Sequence, residues 1–170
     1  MAFAAADGPL DAQVSAALRE FCAQQYEASA ACKYGIDAAE FAAMLAEVAG
    51  QSNHTGAAND LRAFLASLHL EELVLARACM KGSESAWERF LLGYRSTLYE
   101  SAYKIAGAET AARELADSLY AELYGVDAKG QERPSKLRYY QGRGSLQGWL
   151  RTVLAQEYIN RYRGTRRETS

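Results

Sequence analysis

A chain of 170 residues, 49% apolar and 24% charged, can bury one sizeable core, and this balance excludes a disordered or fibrous polypeptide. Its net charge of -2 conceals an asymmetry: residues 1–128 hold 9 basic against 18 acidic side chains, whereas residues 129–167 hold 10 basic against Glu132 and Glu157. Pro9 and Pro134 are the only prolines and the interval between them is rich in alanine and leucine, so the expected fold is all-α.

Residues 11–31 and 37–49 read as two helices separated by the turn-like Tyr34-Gly35. Leu10, Val14, Ala17, Leu18, Phe21 and Cys22 recur at three- and four-residue steps, as do Phe41, Met44, Leu45 and Val48. The polar, glycine-containing stretch from Gly50 to Asn59 is a loop, and a short helix over 58–67 places Leu61, Phe64 and Leu65 on one face.

The spacing predicts a helix over 70–81, with Leu70, Leu73, Val74, Arg77 and Ala78 in register, stopped at Gly82. Ser85-x-x-Glu88 has capping-box spacing near the start of the next helix. The apolar stripe of that helix comprises Trp87, Leu91, Tyr94, Leu98 and Ile105 and ends at Gly107. A helix over 109–124 buries Ala112, Leu115, Leu119 and Leu123 and turns Arg113, Glu114, Asp117, Ser118 and Glu122 outward. Residues 125–135 form a polar loop.

The last helix is expected from Ser145, its N-cap, to about Arg163. Leu146, Trp149, Leu150, Val153, Leu154 and Tyr158 build its buried face. Thr152, Gln156, Asn160, Arg163 and Arg167 step by four, four, three and four, and so share the opposite face. This stripe runs into an arginine-rich end. Such a basic segment on an acidic chain fits a polyanion partner, or a merely solvated basic helix or linker.

No general acid/base pair, nucleophile–histidine arrangement, phosphate loop or metal cluster is visible, so no enzymatic activity, metal or cofactor is expected. Cys22, Cys32 and Cys79 form no Cys-x-x-Cys pair and are expected to be small buried residues in a reducing cytosol. The start lacks the basic residues of a signal peptide, and nothing approaches the ~20 apolar residues of a membrane span. A cytoplasmic protein without a membrane partner is the expectation.

Three stretches carry a resemblance. Leu73-Val-Leu-Ala-Arg-Ala-Cys-Met-Lys-Gly-Ser-Glu-Ser-Ala-Trp resembles a first helix, a glycine turn and an alanine-aromatic helix start. Ala112-Arg-Glu-Leu-Ala-Asp-Ser-Leu-Tyr resembles an acidic helix, and Gly142-Arg-Gly-Ser-Leu-Gln-Gly-Trp-Leu-Arg-Thr-Val-Leu-Ala-Gln a glycine-bearing loop opening a tryptophan-leucine helix. In this order, over residues 70–163, they are similar to region two of bacterial sigma factors of the extracytoplasmic-function type. The resemblance implies a helical bundle over 70–163, with residues 1–69 an added helical extension and 164–170 the start of a basic linker.

It also implies partners. The acidic helix would dock on the clamp of the largest subunit of core RNA polymerase through Arg113, Glu114, Asp117, Ser118 and Glu122. Here the chain departs from the family, with Asp117 at the usual glutamine and Ser118 at the usual acid. The non-template strand of the promoter's minus-ten element would be captured, and a base flipped out, by Tyr139, Tyr140, Gln141, Arg143 and Ser145 of the loop. Thr152, Gln156, Asn160, Arg163 and Arg167 of the last helix would complete that surface. Cations hold phosphates, planar side chains stack on bases, and amides and hydroxyls meet base edges. Trp149 and one of the two tyrosines also fit a purely structural role.

The loop over 125–134 is longer than in typical members, and the sequence ends where a linker to the minus-thirty-five-reading region would begin, as a truncated form would. An anti-sigma factor is a usual further partner. Residues 1–69 hold 8 acids against 3 bases, which makes them a candidate shield for the basic face or an ordinary structural extension. The alternative function is a helical module that binds a transcription regulator without recognising a promoter.

Overall fold

A computed structural model describes residues 9–52, 57–126 and 129–169, with side chains described from 12 to 163 within those spans. Among the described residues the chain is all-α, as its composition predicts: seven α-helices and two 3-10 turns, with one isolated bridge as the only extended pairing.

In the amino-terminal part, α1 (Pro9–Gln25) packs on α2 (Ala38–Gly50) and α3 (Ala58–Ser67). Periodicity carried the first helix to residue 31, but it ends at Gln25. The Tyr26 hydroxyl donates to Ile36 O at 2.6 Å. Ser29 Oγ donates to Tyr26 O at 2.7 Å and accepts from Ala31 N at 3.4 Å. These local bonds offer the backbone an alternative to the helix ladder. A 3-10 turn over Ala31–Tyr34 follows, entered through Ala30 at φ 64°. Asp37 then opens α2 with a capping box: its Oδ1 accepts from Glu40 N at 2.8 Å, while its own N–H donates to Glu40 Oε2 at 2.9 Å. Phe41, Met44, Leu45 and Val48 are all buried, as their spacing requires.

The carboxy-terminal part comprises α4 (Leu70–Lys81), α5 (Glu84–Ala106), α6 (Glu109–Tyr124) and α7 (Leu146–Thr169). Long α5 is its axis, packed against the other three. The capping box expected at Ser85 and Glu88 does not form. Gly82 ends α4 at φ 91°, which leaves Ser83 as the one extended residue between the helices. Ser83 is therefore the N-cap, its Oγ accepting from Ala86 N at 3.3 Å, and Ser85 lies inside the first turn.

The buried line of α5 also differs from the expected stripe. Ala86, Phe90, Leu98 and Ala102 lie on four-residue steps and are buried, whereas Leu91, about 100° further round the helix, is 40% exposed. Only Cys79 among the thiols is buried; Cys22 is half-buried, and Cys32 is exposed on the 3-10 turn. Buried residues from both parts join one core. Among the described residues no helix is long and apolar enough to cross a membrane.

Candidate nucleic-acid and docking surfaces

The segment between α6 and α7 is tied down at both ends. Gly125 closes α6 at φ 98°, and a Cβ there would stand 2.7 Å from Arg133 O. The chain folds back at that point, Arg133 N donating to Gly125 O at 2.8 Å beside a bridge between Val126 and Glu132. Ser135 then caps the second 3-10 turn, Lys136–Tyr139, by accepting from Leu137 N at 3.2 Å. Leu137 is fully buried beneath it.

Arg77, which periodicity set among the apolar positions of α4, holds this turn from below. Its Nη1 donates to Arg138 O at 3.0 Å and its Nη2 to Tyr140 O at 3.3 Å, and burial pulls its pKa below the usual arginine value. The two tyrosines part company: Tyr139 is 58% exposed and Tyr140 only 2%. Tyr140 is thus the anchor and Tyr139 the surface ring. The single Tyr140 hydroxyl proton is shared between Gly144 O at 2.7 Å and Glu72 Oε2 at 3.2 Å; burial, then the Glu72 carboxylate, push its pKa well up.

Glu72 is the residue that sequence patterning missed altogether. Its Oε2 also accepts from Leu146 N at 2.7 Å, the first amide of α7, so a carboxylate on α4 meets the positive end of another helix. Ser145 fulfils its expected role as N-cap, with Oγ accepting from Gly148 N at 3.0 Å.

These fixings open a cleft of about 370 Å³ lined by Tyr139, Tyr140, Gln141, Arg143, Ser145 and Thr152, with Trp149 at its side. Six expected strand contacts therefore meet in one place. Trp149 is half-buried, its ring 5.7 Å from that of Tyr140, so it is both core and wall. Gln141 Oε1 is buried without a hydrogen-bond partner, an acceptor left open beside the cleft. Thr152 Oγ1 is turned back on Gly148 O at 3.1 Å. Gln156, Asn160 and Arg163 are exposed further along α7, outside the cleft, and Gln156 Nε2 donates to Asn160 Oδ1 at 3.1 Å. The side chain of Arg167 lies outside the described residues.

Three of the five docking candidates on α6 are already engaged. Arg113 pairs with Glu109 at 3.5 Å, Asp117 Oδ1 accepts from the Tyr99 hydroxyl at 2.8 Å, and Glu122 pairs with Lys136 at 2.5 Å. Glu114 is exposed and Ser118 half-buried. Glu114, Asp117, Ser118 and Glu122 line a larger cleft of about 760 Å³, whose other wall carries Arg133, Lys136, Arg138 and Arg161. Arg113 stands outside it. The basic excess of residues 129–167 was legible in the sequence, but nothing in a one-dimensional pattern sets Arg133, Lys136, Arg138 and Arg161 opposite α6.

Two of the described amino-terminal acids are held in ion pairs. Glu20 pairs with Arg62 at 3.6 Å, and Glu40 with Lys81 at 2.7 Å. The extension also touches a residue of the smaller cleft through neutral groups: Arg143 Nη2 donates to Gln51 O at 3.3 Å, and the guanidinium lies 5.6 Å from the Phe64 ring centre. The chain matches no family model, no curated protein and no solved structure.

Proposed function

We propose that this chain acts in transcription initiation as a sigma-factor-like domain that binds core RNA polymerase and captures the non-template strand of a minus-ten element. The observation that carries the reading is the cleft between the Tyr139–Ser145 loop and α7. It combines an exposed aromatic ring, one guanidinium and an open buried acceptor at Gln141. An extruded base needs a stacking partner, a donor or acceptor for its edge and a cation for its phosphate, and side chains of all three kinds line the cleft. The order of the three sequence stretches supports the same reading. Its work is binding, and opening a duplex requires no covalent step.

The test is fluorescence anisotropy with a labelled single-stranded minus-ten oligonucleotide, alongside retention of core polymerase by the tagged full chain. Gln156→Ala and Asn160→Ala should each weaken strand binding about threefold to tenfold, the range of a lost hydrogen bond. If Arg143, Gln156 and Asn160 can all be changed to alanine without loss of strand affinity, the proposal fails.

A second reading draws on the larger cleft. Its acidic α6 wall faces a basic wall, and Asp117 and Glu122 are held in internal contacts, which suits a protein partner with mixed charge. Polymerase retention without strand binding would favour that interaction module.

A further inference from the structure

We infer that the amino-terminal helices hold Arg143 in a parked position, restraining the one cation of the Tyr140–Ser145 loop from a bound strand; this rests on the strand-binding reading above. Arg143 is the sole basic residue between Tyr140 and Ser145, and it lines the cleft. Its guanidinium makes two contacts, both with residues of the amino-terminal part. Gln51 is the C-cap residue of α2, so the carbonyl that accepts from Nη2 belongs to the negative end of a helix. The Phe64 ring presents its negative π-face to the same group. Both attractions are of the kind that a phosphate would displace.

The backbone beneath is fixed while the side chain is not. Gly142 O accepts from His69 N at 2.7 Å, and Gly142 sits at φ 74° with the space for a Cβ closed by Leu73 at 3.3 Å. Arg143 itself is exposed. Its side chain can swing from the extension to the cleft without moving the loop. The device is therefore a local one, independent of the acidic charge of residues 1–69.

The experiment uses the full chain and a fluorescein-labelled single-stranded 12-mer. Phe64→Leu keeps an apolar side chain at a half-buried position and removes the ring face. Strand affinity should rise about twofold to fivefold, the range of one surface cation–π contact. The slope of log affinity against log salt should steepen by up to about 0.7, one phosphate contact on a single strand. In an Arg143→Ala background the same Phe64→Leu change should do nothing. Unchanged affinity in Phe64→Leu, or a gain that persists without Arg143, overturns the inference. Weakening by Arg143→Ala with no response to Phe64→Leu rejects parking and leaves strand binding standing, whereas no strand binding by any variant removes both. A double-mutant cycle of thermal unfolding between positions 64 and 143, without DNA, reads the contact directly; zero coupling also overturns it.

Discussion

Glu72 shows how much one side chain can organise without belonging to any motif. Its carboxylate accepts from the Leu146 amide and the Tyr140 hydroxyl, and lies 3.5 Å from the Tyr94 hydroxyl. Hydrogen bonds to a charged acceptor contribute more than neutral ones, and removing the acceptor strands its donors. Glu72→Ala should therefore cost about 2 kcal/mol, measured by urea unfolding. Arg77 makes the same point from the basic side, since two backbone carbonyls of the loop depend on it. Neither residue was legible as a site component. Patterning counts faces of a helix, and the partners that Glu72 and Arg77 find in the loop and at the start of α7 lie more than sixty residues away.

At the scale of elements, much more was readable. The helices over 58–67, 70–81 and 109–124 have the limits expected from their apolar steps and glycine stops. The misses have local causes: hydroxyl bonds from Tyr26 and Ser29 shorten α1, and a two-residue connection makes Ser83 rather than Ser85 the cap. The loop and the start of α7 line one cleft, but the division of labour between Tyr139 and Tyr140 required the fold. Two consecutive aromatic residues outside regular structure have no periodicity to sort them. The start of α7 is held twice, by Ser145 Oγ on Gly148 N and by Glu72 on Leu146 N. Ser145→Ala should consequently cost only about 1 kcal/mol, less than the Glu72 change, with amide exchange quickening in the first turn of α7. Unchanged stability in Glu72→Ala would show that Glu72 adds nothing to the cap.

At the scale of the whole molecule, the half-buried phenols Tyr94 and Tyr120 tie stability to pH. Burial, helped by the Glu72 carboxylate, pushes Tyr94 up to about 12, and burial pushes Tyr120 to about 12 as well, from an ordinary value of 10.0. A folded-state pKa above the unfolded one means that the unfolded chain ionises first as pH rises. The stabilisation is complete below pH 10 and is lost between 10 and about 12. Urea midpoints should fall across that window, and Tyr94→Phe should flatten the decline; an unchanged slope would remove Tyr94 from the account.

The bond from Leu146 N to Glu72 spans 74 residues of chain, and this separation has a consequence during synthesis. The acceptor leaves the ribosome long before its donor, so the cleft cannot take shape until the first turn of α7 has emerged. Until then Glu72 and Tyr140 face water with part of their bonding unmade, and α4, α5 and α6 wait as an open scaffold. A nascent chain halted before residue 146 would thus carry α6 but lack the bond that closes the cleft between the loop and α7.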